Sequence, residues 1–450
     1  MAPSTAAVLS AAILLNTIIR VTISSWGSFT VYVTGYMRRS HASIEYEDAA
    51  WVTAITGGVL GCTTYLGGWM LERYGPRWTS IAGGLVLSSG ILASAHTIAQ
   101  GFFPFLTSYA LVVGLGCGII NPVPLQVAMR LLPQRPGLVS GFVQCGSGLG
   151  SMLVVLFQTW IVNPENVRPA TTFPGGEELY MLDDSVLDRV PRVLLYVAMA
   201  IFTASIIGSN LMGEASNCDK RGNAADDSGR SLLVHSQYSY TPAEVIVSRE
   251  FWLMGSCYFL SMLSVNFVTN HIKVIGQKVN PDMNDHQLSF IVSVAALFNG
   301  LGRLAWGIVA DKWSFRVAII GMSGIKAITI ATLFVSAQSG FYVYLFSVSL
   351  IFMCVGGASS IWAGAVKLYF GDKHFGRNFG LMTFAGGLGW ILGAAGFQSA
   401  HKLTSDPNVA MISTGFSAAA LCCGYALRDS NVFLQEEGKI APSEKSAYGT

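Results

Sequence analysis

Charge is scarce in this chain of 450 residues. Asp, Glu, Lys and Arg together make up 12 % of it, about half the share of an average soluble protein. No basic tract occurs and the net charge is only +2, so no nucleic-acid partner is expected. A disulfide framework is missing too: of eight cysteines, only Cys218 falls outside the apolar stretches and their ends. None shows paired metal-ligand spacing, so no metal or other cofactor is expected. No nucleophile–base pair or phosphate loop is present, which excludes an enzyme. The glycine runs GLGCG (114–118) and GSGLG (146–150) have no strand before them. They lie inside apolar helices, where glycine serves close helix packing. Asn-x-Ser/Thr is absent as well, which leaves the choice of membrane open.

Hydrophobic sequence is abundant, at 52 % of residues. Apolar stretches recur along the chain, each long enough to cross a hydrocarbon core of roughly 30 Å. Twelve spans are predicted, at about 9–37, 48–71, 77–99, 104–131, 137–162, 191–212, 250–275, 286–310, 316–337, 340–370, 377–400 and 407–427. Several exceed twenty residues, which implies tilt rather than extra spans. Two stretches interrupt the pattern: 163–190, acidic and proline-containing, and 213–249, where KRGNAADDSGR reads as a flexible polar linker. An even number of spans puts both termini on one side. The loops and tails of that side hold fifteen Lys and Arg against eight opposite, so the positive-inside bias places both termini in the cytoplasm.

The chain also repeats itself. GWMLERYGPR (68–77) and GIVADKWSFR (307–316) share glycine, an acid, a base, an aromatic and arginine, 239 positions apart (72 to 311). The same offset pairs GLVSGFVQCGSGLG (137–150) with GRNFGLMTFAGGLG (376–389), so that Gly137, Gly141, Gly148 and Gly150 meet Gly376, Gly380, Gly387 and Gly389. Six plus six spans in one orientation is a parallel repeat, the plan of an alternating-access carrier with its site near mid-membrane. The divisions expected are an N-terminal six-helix half (1–212), a cytoplasmic linker (213–249), a C-terminal half (250–428) and a cytoplasmic tail (429–450).

The loop between spans 2 and 3, echoed between 8 and 9, resembles the signature loop of the major facilitator superfamily. Four segments resemble its oxalate/formate antiporter and monocarboxylate transporter branch: SSWGSF in span 1, GLGCGIINPVPLQVAMRLLPQRPGLVSGF across spans 4–5, LFNGLGRLAWGIVADKW in span 8, and YFGDKHFGRNFG before span 11. The resemblance implies an all-α membrane protein of twelve transmembrane helices in two parallel six-helix halves.

Four cations lie inside the spans, Arg20, Arg303, Lys326 and Lys367, with no securely buried Asp or Glu. A cation at the bilayer centre costs roughly 2.5–3.5 kcal/mol on insertion scales and persists where it faces a cavity or a partner. Eight helical residues place Arg303 about 12 Å from the cytoplasmic end of its span. With no buried carboxylate to neutralise it, the natural partner is a visiting anion held by the guanidinium. The resemblance agrees, since the branch carries its anion-binding arginine here. The other reading is a structural arginine that bonds carbonyls of a broken helix. Arg20 is either a second anion contact or an anchor that snorkels to the cytoplasmic face. Lys326 is expected to pack on an outer helix or meet lipid, and Lys367 to snorkel.

In this fold, spans 1, 4, 7 and 10 line the cavity. That makes Trp26, Tyr32, Asn121, Gln126, Asn266, Asn270, Ser359, Ser360 and Trp362 candidates for substrate contact, against helix packing or an interfacial belt. Glu72, Arg73, Arg77, Asp311, Lys312 and Arg316, at the cytoplasmic ends of spans, are candidate gating charges that pair across the halves when that mouth closes; the alternative is simple topology-setting charge. Departures narrow the reading. Dicarboxylate-specific members resembling this chain carry a lysine where Gly386 stands, and cage aromatics where Ser24, Asn121, Val355 and Ser359 stand. This counts against oxalate unless Arg20 substitutes. Proton-coupled monocarboxylate members carry an Asp where Asn299 stands, and an amide cannot carry the proton, although His271 could sense pH.

The expected function is transport of a small organic anion, foremost a monocarboxylate such as pyruvate, lactate or formate, by alternating access, with the lipid bilayer and a counter-anion or proton as further partners. A monomer suffices. The plasma membrane is favoured over an organelle. A carrier of amino acids or other zwitterions is the nearest rival, although no buried acid meets an amine. A receptor or scaffold without transport is the other, which long folded tails would favour.

Overall fold

A segment in lipid must satisfy its backbone hydrogen bonds internally, so apolar runs of this length fold as helices. The computed structural model describes residues 5–39, 44, 46–165, 171–172, 179–180, 183–225, 239–280, 283, 285–399 and 407–436, and helices occupy all twelve predicted spans. Span 1 is Thr5–Ser24 continued by Trp26–Arg38. Spans 2 and 3 run as Tyr46–Thr97, broken at Gly75 and Pro76. Span 4 is built from Phe102–Phe105, a wider π-helical stretch Leu106–Val112, then Val113–Ile120 and Pro122–Leu131. Span 5 is Pro136–Val162 and span 6 Val190–Ala225. The second half holds span 7 (Arg249–Val279), span 8 (Asp285–Lys312), span 9 (Phe315–Ala331, continued by Leu333–Gln338), span 10 (Phe341–Phe370), span 11 (Phe375–Ser399) and span 12 (Pro407–Ala426).

The polar interruptions carry more order than the sequence suggests. Span 6 continues as helix to Ala225, well into the stretch read as linker; residues 226–238 lie outside the described residues. The chain is tied down again where the Tyr240 N–H donates to the Phe370 carbonyl, before a helix Pro242–Val247 with a reciprocal Thr241–Glu244 cap. Within 163–190 there is a two-residue antiparallel ladder, Thr171–Thr172 against Leu179–Tyr180, and a short helix Asp184–Leu187. After span 12, helix Ser430–Glu436 buries Phe433 against Tyr240, Tyr369 and Phe370.

The repeated glycines explain how the halves meet. Spans 2 and 11 touch at Gly68 and Gly376, and spans 5 and 8 at Gly137 and Gly307. A Cβ on Gly68 would stand 2.1 Å from the Gly376 carbonyl carbon, and one on Gly307 would stand 2.4 Å from the Gly137 oxygen. Only glycine lets two helix backbones approach so closely. These crossings lie toward the end of the bundle that carries loops 2–3 and 8–9, the Lys- and Arg-rich end of the sequence, called here the basic end. The positive-φ turns Gly101 (φ 117°) and Gly340 (φ 109°), which open spans 4 and 10, stand at the same 239-residue offset.

Candidate functional site

The centre of the bundle is organised by Gln144 of span 5. Its carbonyl accepts from Arg303 Nη1 (2.8 Å) and its Oε1 from Arg20 Nη2 (3.4 Å), while its Nε2 donates to Ser140 Oγ and to the Ser360 carbonyl. Spans 1, 5, 8 and 10 therefore converge on one residue, through its backbone carbonyl and its side-chain amide. Arg303 Nη1 also donates to Ser147 Oγ, and Arg303 Nε donates to Asn299 Oδ1 (3.3 Å). Nothing among the described residues accepts from Arg303 Nη2. Arg20 and Arg303 are close enough to interact as charges, and the span 7 residue Tyr258 is close enough to Arg20 to feel its charge.

No carboxylate among the described residues pairs with either arginine. Glu250, which opens span 7, is fully buried, against the sequence reading; but Arg428 holds it through Nε (2.6 Å) and Nη2 (3.2 Å). Two guanidinium groups in a low-dielectric interior, sharing only neutral acceptors, are suited to an anion. Arg20 therefore belongs to the centre rather than to the membrane surface. Arg303 meets part of both sequence readings: it bonds a carbonyl of the opposite half and keeps N–H capacity free.

Other predicted contacts do not join this centre. Trp26 is buried, donates to the Ala49 carbonyl of span 2 and packs against Phe105 and Tyr109 of span 4. Trp362, 1 % exposed, donates to the Ala358 carbonyl of its own helix and packs on Tyr258. Asn121 is fully buried and donates to Thr64 Oγ1 of span 2 (3.2 Å). Ser359 turns its hydroxyl to the Gly356 carbonyl, whereas Ser360 bonds back to the Arg303 carbonyl. Tyr32 packs beside Phe29. Asn266, Asn270 and His271 lie on span 7 at positions whose side chains fall outside the described residues. Lys326 is fully buried and donates to Ser261 Oγ (2.6 Å), a packing role rather than a lipid contact.

Gln144, Ser147 and Tyr258 were missed by the sequence reading. A glutamine midway along an apolar span is itself a signal, because its amide demands partners in lipid. Tyr258 had no such signal: it is defined by its neighbour, since a Cβ on Gly386 would stand 2.4 Å from Tyr258 Cε1. The ring fills the space beside position 386.

The basic end is closed. The Asp311 carboxylate accepts from the Gly137 N–H (2.8 Å) and the Leu138 N–H (2.6 Å), capping the start of span 5. Glu72 pairs instead with Arg377 (2.5 Å) and His374 (3.3 Å) at the start of span 11. Arg130 of span 4 meets Asp372 (2.9 Å), Gln126 donates to the Asp372 carbonyl, and Lys367 reaches the Met129 carbonyl (2.7 Å). Of the six predicted gating charges, two cross between halves. Arg73 lies over Trp69 and Tyr74, Arg77 over Trp78 and Lys312 over Trp313, and Arg316 donates to the Tyr425 carbonyl. Their charges are turned toward rings and a carbonyl of their own half. The residues that do pair across this end, Asp372 and His374 of loop 10–11 and Arg377 in the first turn of span 11, carried no repeat signal at the charged positions.

Comparison with known proteins agrees with this architecture. The family model described as Major Facilitator Superfamily matches residues 14–394. The chain is 26 % identical over 426 residues to the apicoplast pyruvate carrier 1 of Toxoplasma gondii, covering 80 % of this chain and 77 % of that one. It is 23 % identical over 398 residues to the oxalate:formate antiporter of Oxalobacter formigenes, covering 85 % and 83 %. The fold matches the structure of the proton:xylose symporter XylE with a TM-score of 0.66 over 95 % of this chain and 96 % of that one, at 13 % identity.

Proposed function

The chain belongs to the major facilitator superfamily of transporters, and we propose that it carries small organic anions, foremost monocarboxylates such as pyruvate, lactate or formate. The observation that carries this reading is the Arg303 guanidinium, with Nη2 unpaired among the described residues and no carboxylate to neutralise it. A substrate carboxylate would take Nη2 and displace Ser147 Oγ or the Gln144 carbonyl from Nη1. That exchange loosens span 8 from span 5 and so couples binding to the movement of the halves. The pyruvate carrier and the oxalate:formate antiporter among the relatives support an anionic substrate.

A dicarboxylate is the second reading, favoured by the place of Arg20 beside Gln144 and opposed by the Tyr258 ring at Gly386, where a second cation has no room. A zwitterion finds no acid for its amine among the described residues near Arg303. The basic end is proposed to face the cytosol, with both termini there, on the positive-inside bias. Proton symport by a carboxylic acid beside Arg303 is not supported, because Asn299 occupies that turn.

Uptake of radiolabelled pyruvate, formate, oxalate and alanine into proteoliposomes tests the proposal. The expected result is saturable monocarboxylate uptake that exceeds oxalate uptake, is stimulated by internal anion and is lost in Arg303→Gln that still folds and inserts. Preferred oxalate uptake would favour the second reading. Anion uptake unchanged in Arg303→Gln would sink both.

A further inference from the structure

On the outer face of the closed basic end lies a cleft of about 520 Å³, lined in part by the paired gate residues Glu72, Arg130 and His374. One wall is loop 2–3 and the last turns of span 4, from the N-terminal half, with Arg73, Tyr74, Gln126 and Arg130. The other is loop 10–11 of the C-terminal half, with Lys373 and His374. The charges here do not balance. Arg377 and His374 hold Glu72, while Arg130 and Lys367 share Asp372. Arg73 and Lys373 have no carboxylate partner among the described residues. Arg73 only lies over two rings, at 5.5 Å from Trp69 and 5.8 Å from Tyr74. Two unpaired cations from opposite halves thus face one cleft.

The cleft also holds an orphaned acceptor. Gln126 is 4 % exposed, and its buried Oε1 has no hydrogen-bond partner among the described residues, although its Nε2 donates to the Asp372 carbonyl. A buried amide oxygen without a donor costs free energy that a ligand hydroxyl would recover. Cations at the rim and an acceptor in the wall together select a multiply charged anion that also carries a hydroxyl. A simple carboxylate lacks the charge and the donor.

The geometry points to a regulatory site for a phosphate-ester anion with an adjacent hydroxyl, bound between loops 2–3 and 10–11 outside the closed gate. The ligand contacts both halves only while the basic end is shut, so its binding energy favours that state by the difference in affinity between states. Bound, it slows the opening of the carrier toward this side. The same chemistry occurs in soluble phosphorylated metabolites and in the headgroups of anionic phospholipids, and Tyr74 and Trp78, both exposed, flank the loop at the lipid interface.

The test uses the full chain in nanodiscs of phosphatidylcholine, with spin labels on loops 2–3 and 10–11. Glycerol 3-phosphate is titrated by calorimetry and the label distances are read by pulsed electron resonance. A parallel arm incorporates phosphatidylinositol 4-phosphate into the bilayer with no soluble ligand. In the soluble arm, saturable binding weakens about tenfold in Arg73→Gln and in Lys373→Gln, and the short-distance population rises with ligand. If the source is the headgroup, the short-distance population rises in the lipid arm and falls back in both variants. Lys312→Gln, on the same face but away from the cleft, binds as wild type. An absence of binding or distance change in both arms overturns the site. So does an effect that survives both cleft variants, or one that Lys312→Gln abolishes equally, which would mark general surface charge.

Discussion

At the seam of spans 2 and 11, Gly68 meets Gly376; at the seam of spans 5 and 8, Gly307 meets Gly137. The packing is the same device used twice, and the chemistry deeper in the two seams is not. Where span 8 carries Arg303, the position 239 residues earlier in span 2 is Thr64, whose hydroxyl turns to the Leu60 carbonyl of its own helix. Where span 5 offers Gln144 to two arginines, span 11 offers Thr383, which makes one long bond to the Gly61 carbonyl (3.4 Å). The outer ends differ as well: Asp311 caps backbone N–H groups, and Glu72 forms an ion pair. The repeat duplicates the scaffold, and at mid-depth, among the described residues, the seam of spans 5 and 8 carries a guanidinium where the seam of spans 2 and 11 carries a hydroxyl. Both seams join the halves while the basic end is shut; under the proposed function, a substrate replaces the guanidinium's acceptors in the seam of spans 5 and 8.

A methyl group at the crossings challenges both seams at once. Gly68→Ala and Gly307→Ala each force a Cβ onto backbone of the other half, a clash that exists only when the basic end is shut. Each is expected to lower uptake about tenfold or more by overpacking the closed state, with spin-label distances across the basic end lengthened. If only one of the two acts, the seams do not close as a pair.

A smaller effect separates the seams at mid-depth. Thr64→Val removes the acceptor for the buried Asn121 amide and is expected to cost about 1–3 kcal/mol of stability. Anion affinity should stay within about twofold of wild type. Thermal unfolding and equilibrium binding on the same sample check it. A large loss of affinity would move the site toward the N-terminal half.

The finest distinction is between the two outer ends. The Asp311 carboxylate is a charge-assisted acceptor for two N–H groups of the other half. The Glu72–Arg377 pair, with side chains 24 % and 23 % exposed, is worth about 0.2–1 kcal/mol and is screened by salt. Asp311→Asn should lower the closed population at low and high salt alike. In the wild type, high salt should lower the closed population, and Glu72→Gln should make it insensitive to salt. Label distances measured across the salt gradient give the answer.

Much of this arrangement is legible in the sequence, for particular reasons. The spans are long and apolar, and glycine pairs at a fixed offset signal crossings because no other residue fits there. Arg303 stands out because an unneutralised cation in an apolar run has few explanations. Helical position alone does not say which face of a helix looks inward, so the sequence does not show where Trp26, Trp362 and Asn121 find their partners. All three bond inside their own half. Gln144 carried a usable signal, an amide in lipid, but its two arginine neighbours arrive from helices more than a hundred residues away in sequence. The partners of Glu72 were hidden for the opposite reason: any loop at the basic end offers cations, and only the fold brings Arg377 and His374 to it.

Whether Arg303 trades its bonds with span 5 for a substrate carboxylate is decided by equilibrium binding of radiolabelled pyruvate to purified Arg303→Gln and Ser147→Ala. Loss of a charge-assisted donor should weaken binding about 10- to 100-fold in Arg303→Gln. Loss of a competing acceptor should leave Ser147→Ala binding as tightly as wild type or more tightly. If Arg303→Gln binds pyruvate like wild type, or Ser147→Ala weakens it as much as the arginine variant should, Arg303 is a strut between spans 8 and 5 and the anion is held elsewhere.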